Sequence, residues 1–481
     1  MSTLDLLRAR VRAWITPALA LLILAACIRV WTAIWDQGIV WPDELFQTLE
    51  QAHRFAFGRG IVPWEFRDGA RSWLYPGILG LVLKGANAMG VTHALTLIRV
   101  VKLGMAALSV WGVWLGMRLA RLLGGVRAEL LAALFGALCP VLVIFSTRCM
   151  VECASAPFIL AAALQIEQAP RRRHAAIAGV CVALAVLFRY QNGVLAVGFL
   201  VVLLARRRWK DTLAYIGGGL VIAALGGILD WKTWGVPFRP LYVYVKFSLK
   251  GGPSGWGESP WSFFSEHFAA TIGVSYVLLV LGFLVAAGRS RGLAFVVLGF
   301  MAAHLTIPHK ELRFLLPVVP LALALSAVGW SRLLSGLRRG ARSTYAFAIV
   351  IGLQMAWQLQ APKLGDLGYD YADDAGEVVW HANEDYFRGA LDASAAADLC
   401  GLSYIDSARA WTGGYTYLHR PVPVFFDADP RSLAAANYVV GEAGTRLPKE
   451  WRKVTTHGKY ALFHRDGVCG PVPPGWTLDA L

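Results

Sequence analysis

Trp14-Ile-Thr-Pro-Ala-Leu-Ala-Leu-Leu-Ile-Leu-Ala-Ala-Cys-Ile-Arg-Val-Trp-Thr-Ala-Ile34 is an apolar run broken by a single charge, Arg29. Coiled as a helix, such a run is about 30 Å long, which matches the hydrocarbon core of a bilayer. Similar runs recur along the 481 residues, 57% of which are hydrophobic, and the mean hydropathy is +0.52. The reading is a polytopic α-helical membrane protein. The net charge of +15 is carried largely by arginines in short blocks between the runs. That is the pattern of cytoplasmic loops facing anionic lipid, so membrane lipids are expected partners and nucleic acid is not. The first run is too long for a cleavable signal peptide, and no small-residue cleavage site follows it.

Placing every arginine block on one side orders the chain. Arg8, Arg10 and Arg12 precede the first run, so the N-terminus is expected inside. About eleven spans follow: Trp14–Ile34, Leu95–Leu119, Glu129–Thr147, Met150–Ile166, Ala175–Tyr190, Gly193–Ala205, Thr212–Leu229, Phe268–Gly288, Leu293–Ile307, Phe314–Leu334 and Tyr345–Leu359. Arg118, Arg121 and Arg127, then Arg171–Arg173, Arg206–Arg208, Arg289 with Arg291, and Arg338, Arg339 and Arg342 then share the inner side. Residues 1–360 form the expected transmembrane domain, with a first outer loop at 36–89 and a long outer loop at 230–267. From about Ala361 the composition turns acidic, with Asp366, Asp370, Asp373, Asp374 and Glu377. Short runs at Val422–Phe426, Tyr438–Val440 and Tyr460–His464 predict a small extracytoplasmic α/β domain over 361–481.

The first outer loop opens with Trp41-Pro-Asp-Glu-Leu-Phe-Gln47. Two adjacent carboxylates, Asp43 and Glu44, at a membrane surface call for water, a cation or a reaction. The alternative is structural: Asp43 caps a helix Glu44–Phe57. Leu45, Phe46, Leu49, Ala52, His53 and Ala56 recur at helical spacing, and Gly58-Arg-Gly60 stops the pattern. Gly77–Met89 reads as a short interfacial helix carrying Lys84. Cys27, Cys139 and Cys181 lie inside apolar runs, as packing residues do. Cys149 and Cys153 lack a second ligand pair for a metal. Cys400 and Cys469 are the cysteines of the C-terminal region and would pair in an oxidising compartment.

On the outer side, positive charge runs against the inside bias and needs another reason. Arg148, Glu152, Arg189, Lys246, Lys250, His309, Lys310, Glu311 and Arg313 all fall there. The densest stretch is Pro308-His-Lys-Glu-Leu-Arg-Phe-Leu-Leu-Pro317. Internal pairing such as Lys310 with Glu311 would make it a pinned helix connection. As a group, several cations and a carboxylate pair suit a phosphorylated substrate. A lipid-linked sugar phosphate would leave its phosphate among the cations while a carboxylate takes the proton of an acceptor hydroxyl. Direct displacement of this kind inverts the anomeric centre.

Pro42-Asp-Glu-Leu-Phe-Gln47 with Glu50, Gly58, Trp64-Glu65 and Arg71-Ser-Trp-Leu-Tyr-Pro76 resembles the first outer loop of glycosyltransferase family 22. That family holds the mannosyltransferases of GPI-anchor and asparagine-linked glycan assembly. His309-Lys-Glu-Leu-Arg-Phe314 and Thr147-Arg148 are similar to two further hallmarks. The run from Asp230 through Trp234-Gly235, Phe247, Gly257 and Pro260-Trp261 is similar to the long outer loop, and Gly413-Gly-Tyr with Leu418-His-Arg to a C-terminal stretch. Trp41 stands where the family usually has His, and Ser248 where it usually has Asn. The resemblance implies the GT-C fold, a polyprenyl- or dolichyl-phosphate-mannose donor, a glycan or glycolipid acceptor, and inversion to an α-mannoside. It implies Asp43 as base and donor phosphate lined by His309, Lys310 and Arg313; Glu44 is the next candidate base, and Arg148 and Arg189 of the outer set are expected at the phosphate as well. Trp41, Gln47, Glu65, Arg71 and Lys246 are expected to contact substrate, and neither metal nor cofactor is implied.

Nothing in these residues reads the sugar's hydroxyls, so transfer of another lipid-phosphate-linked sugar to lipid A or a polymer is the alternative. A lipid or solute transporter fits less well, because paired repeats are missing and ionisable residues at mid-membrane depth are few. A non-catalytic scaffold leaves the acid pair and basic cluster without a use. Short inner loops and arginine-rich composition point to a bacterial inner membrane with the site outside, or to the ER membrane in a eukaryote.

Overall fold

The structure is a computed structural model that describes residues 16–250, 254–255, 257–337, 340–369, 375–405, 411–474 and 476. Arg8, Arg10, Arg12, Trp14, Arg338, Arg339, Asp370, Asp373 and Asp374 lie outside them. By contacts the chain divides into two units, Met1–Trp35 with Leu103–Val379 and Asp36–Lys102 with Trp380–Leu481. The first outer loop therefore belongs with the C-terminal region rather than with residues 103–379.

The first unit is helical, and the chain is an integral membrane protein. Among the described residues, Pro17–Trp35, Ala94–Leu138 and Trp209–Trp234 are each long and apolar enough to cross a bilayer. Leu95–Leu119 and the start of Glu129–Thr147 are continuous in Ala94–Leu138, kinked at Gly125, where φ is 77° and ψ −167°. The helix stops at Leu138 because Cys139 is non-helical ahead of Pro140, the restriction proline places on its predecessor. The expected single span Phe268–Gly288 is instead two helices, Phe263–Ile272 and Ser275–Ala287, bent by 117°. Gly273, with φ 69°, makes the break. Most remaining apolar runs form helices of 13–17 residues, among them Val151–Glu167, Arg172–Phe188, Gly193–Ala205, Arg291–Leu305 and Val319–Ser335. The long outer loop is narrower than expected. Trp209–Trp234 extends into it, and an additional helix, Arg239–Leu249, occupies its middle.

Lipid-embedded helices gain little from apolar burial and associate through close backbone approach at small residues. Arg172–Phe188 packs on Trp209–Trp234 this way: a Cβ at Gly179 would overlap the Tyr215 carbonyl, and one at Gly218 the Ala176 carbonyl. Arg29, fully buried, donates to Ser109 Oγ at 2.9 Å and to the Gly136 and Ala137 carbonyls at 2.6 and 3.3 Å. The charge that interrupts the first run thus satisfies the last carbonyls of another helix.

The second unit holds a five-stranded mixed sheet: β1 Leu402–Tyr404, β2 Val424–Phe425, β3 Tyr438–Glu442, β4 Arg452–His457 and β5 Tyr460–His464, in the order β2-β1-β3-β5-β4. β1 runs parallel to β2 and β3, with Leu402 opposite Val424 and Tyr438. β5 runs antiparallel to β3 and β4, with Val440 opposite Leu462. Three strands match the expected runs; β1 and the exposed edge β4 do not. Tyr404, Leu418, Val440 and Leu462 close a core on one face, joined by Ile61 of the first outer loop. Cys400 and Cys469 form a disulfide with Cα atoms 6.0 Å apart.

Candidate active site

The acid pair stands at the start of a helix that runs from Pro42 to Phe57. Pro42 is its first residue and Trp41 the N-cap, extended at φ −126°, ψ 135°. Proline suits that position because its missing N–H is one the helix leaves unpaired anyway. Asp43 is consequently inside the first turn, and the capping role expected of it as an alternative does not hold. Glu44 takes a structural part: buried, it accepts from the N–H of Val40, the residue before the N-cap, at 2.8 Å.

Leu45–Leu49 is a π-helical stretch, a rare form that recurs at functional sites. Leu45, Leu49, Ala52 and His53 are buried, as their spacing predicts. The more accessible positions of the first turns are Pro42, Asp43, Phe46 and Gln47. Gln47 Nε2 donates to Glu65 Oε1 at 2.7 Å. Burial pushes the Glu65 carboxyl above its usual range, the Arg71 charge opposes this, and the Asp43 charge adds to it. Asp43, Gln47, Glu65 and Arg71, spaced over 29 residues of sequence, thus share one electrostatic neighbourhood, with Trp41 buried beside them in the chain.

The second group belongs to the helical unit and centres on Phe314. Arg189 and Arg313 stand over its ring, their guanidinium carbons 4.6 and 5.7 Å from the centroid. The rings of His309 and His304 lie 6.2 and 6.5 Å away. Arg313 forks onto Glu311, with Nε–Oε2 2.7 Å and Nη2–Oε1 2.8 Å, and reaches Met150 Sδ at 3.6 Å. Burial would raise the Glu311 carboxyl, but the Arg313 charge and the His309 hydrogen bond outweigh it and hold the carboxyl below its ordinary value. Arg189 pairs with Glu152, both buried. Lys310 does not pair with Glu311 as the connection reading had it. Its Nζ donates to the Ser259 carbonyl at 2.8 Å and the Pro308 carbonyl at 3.4 Å.

Arg148 is fully buried two residues before Met150, with Nη2 3.4 Å from the Val379 carbonyl. Lys246 is exposed on Arg239–Leu249, and among the described residues no side-chain bond joins it to the others. On the same helix the Tyr244 hydroxyl accepts from Gln191 Nε2, two residues beyond Arg189. Three participants escaped the sequence reading. Ser259 is a carbonyl acceptor with no sequence signal, and His304 sits in an apolar run. Phe314 was visible as part of a motif, yet its position under two guanidinium groups was not.

The sequence profile of the Alg9-like mannosyltransferase family matches residues 20–362. The chain belongs to that family. It is 27% identical over 308 residues to GPI mannosyltransferase 3 of Yarrowia lipolytica, covering 62% of this chain and 60% of that protein. It is 26% identical over 313 residues to GPI alpha-1,2-mannosyltransferase 3 of Bos taurus, covering 62% and 57%. The chain thus spans about three fifths of the length of these relatives. The human protein of that name matches over more, at 23% identity across 88% of this chain and 74% of its own. Among solved structures, ArnT from Cupriavidus metallidurans bound to undecaprenyl phosphate has the same fold. Its TM-score is 0.62 at 12% identity, over 94% of this chain and 99% of that one. The Archaeoglobus fulgidus oligosaccharyltransferase follows at 0.51 and 14%, over 88% and 69%. This family member therefore has the GT-C architecture.

Proposed function

We propose that the chain is an inverting mannosyltransferase that takes mannose from a polyprenyl or dolichyl phosphate and gives it to a glycan or glycolipid acceptor outside the membrane. Asp43 accepts the proton of the attacking hydroxyl. The acceptor oxygen forms a bond to the anomeric carbon as the carbon–oxygen bond to phosphate breaks, and the lipid phosphate leaves with the bonding electrons. Arg313, Arg189, Lys310, His309 and Arg148 bind that phosphate and stabilise its charge. Gln47, Glu65, Arg71 and Trp41 line the acceptor side, with Lys246 guiding the approach.

The observation that carries this reading is the pair of guanidinium groups over Phe314. Arg189 and Arg313 stand over its ring, ion-paired to Glu152 and Glu311, and Lys310 is buried in the same stretch as Arg313. Guanidinium groups oriented in this way present the planar donors that a phosphate takes. In this account Glu311 keeps the Arg313 fork in phosphate-binding shape. The Cys400–Cys469 bond supports an extracytoplasmic C-terminal region, since such bonds persist in oxidising compartments.

The test is incubation of purified protein with polyprenyl-phosphate mannose and a cell-lipid extract, followed by mass spectrometry. A lipid or glycan heavier by one hexose is expected. Transfer only from a different lipid-phosphate sugar would replace mannose while keeping the mechanism, and no transfer from any of them would overturn the reading.

A further inference from the structure

Glu50, two turns beyond Asp43, is fully buried and faces no cation among its hydrogen-bond partners. Its carboxylate accepts from the Ile61 N–H at 2.8 Å and from the Tyr415 and Thr416 N–H groups at 2.9 Å each. The Thr416 hydroxyl adds a fourth bond at 2.6 Å. Burial pushes this carboxyl up and the four donors pull it down. Gly414 completes the cradle: with φ at +54°, any Cβ there would come within 2.6–2.8 Å of the Glu50 carboxylate. A cavity shaped this closely for one side chain, 365 residues away in sequence, is a specific anchorage and not incidental packing.

The helix between the two acids explains why both can be used. In an unbroken α-helix, residues seven apart fall within about 20° of the same face. The π-helical Leu45–Leu49 inserts extra residue length between them and rotates everything beyond it by roughly 100°. Glu50 can then enter the cradle while Asp43 stays on the more accessible face with Gln47. Other bonds lock the same loop to the C-terminal region. Ile39 N–H donates to the Ala382 carbonyl at 2.9 Å, Asn383 Nδ2 to the Ile39 carbonyl at 2.8 Å, and His53 Nε2 meets His419 Nδ1 at 2.9 Å.

We propose that Glu50 is a positioning residue: seated among Ile61, Gly414, Tyr415 and Thr416, it makes the orientation of the Asp43 turn depend on the C-terminal domain. This rests on Asp43 being the base. Gln cannot replace Glu50, because its amide group would present N–H donors to N–H donors. Glu50→Gln is expected to lower kcat about 10–100-fold while KM for polyprenyl-phosphate mannose stays within about twofold. Thr416→Val removes one donor and keeps the backbone bonds, so the same split at about 3–10-fold is expected, and this variant guards against misfolding of the first. In the Asp43→Asn background Glu50→Gln should add no further loss, because the group it positions is gone.

Hydrogen–deuterium exchange of the full-length protein separates this claim from the function itself. Thr416→Val should raise exchange at residues 42–49 as well as at 414–418. If the parent protein transfers no sugar, the function fails while the exchange result still decides the coupling. Exchange confined to 414–418, or a Thr416→Val variant with parental kcat, would overturn the proposal.

Discussion

The helix Pro42–Phe57 and the connection Pro308–Pro317 both carry charge into buried surroundings, and they satisfy it in opposite ways. On the helix, backbone N–H groups hold the carboxylates: Val40 holds Glu44, and Ile61, Tyr415 and Thr416 hold Glu50. In the connection a side-chain carboxylate holds the guanidinium, Glu311 for Arg313, and beside it Glu152 does the same for Arg189. A carboxylate seated on backbone donors is fixed by the fold and serves as an anchor. A guanidinium held by a carboxylate already has its donors arranged for an anion, and a phosphate presents the same fork. The first arrangement places a residue, and the second is the one we propose receives the donor phosphate.

That contrast can be broken at several points. Arg313→Ala should have the largest effect, lowering kcat/KM for the lipid-phosphate donor about 100-fold or more. Apparent affinity for the acceptor should change little, so titration of each substrate in turn checks it. A common loss for both would mean that Arg313 only supports the fold. Removing the covalent closure of the anchored unit comes next. Cys400→Ser with Cys469→Ser opens a loop of 69 residues and should lower the melting temperature of the purified protein by about 5–15 °C. Transfer at low temperature should persist, and an unchanged melting curve would show that the bond contributes nothing.

The smallest effect concerns His53 and His419, whose rings meet at the anchored helix. Burial lowers both from 6.5 to about 4. Their folded-state values lie below the unfolded ones, so the stability they contribute is complete above pH 6.5 and is lost as pH falls toward and through 4. Melting temperature should therefore decline over that window, and His419→Gln should flatten the decline by a few degrees. A variant as acid-sensitive as the parent would place the sensitivity elsewhere.

The helical character of the apolar runs was legible because bilayer thickness sets run length. The break at Gly273 was not, since both flanks are equally apolar and hydropathy is blind to a bend inside a hydrophobic run. The amphipathic helix after Asp43 could be read from spacing, and three of five strands from β-branched and aromatic runs. Other assignments depended on tertiary partners. Lys310 is the nearest opposite charge to Glu311 in sequence, yet its side chain turns to the Ser259 carbonyl while Arg313 supplies the fork. Glu50 was recognisable only by resemblance, because its donors come from Tyr415 and Thr416. The Val40 N–H that holds Glu44 is marked by no pattern in the sequence.

Asp43 is the group we propose removes the acceptor's proton. The direct test is single-turnover transfer by purified Asp43→Asn with polyprenyl-phosphate mannose, beside measurement of donor binding by the same sample. Transfer should fall about 1,000-fold or more with donor affinity within about twofold of the parent. Transfer at the parental rate by the Asn variant would contradict it.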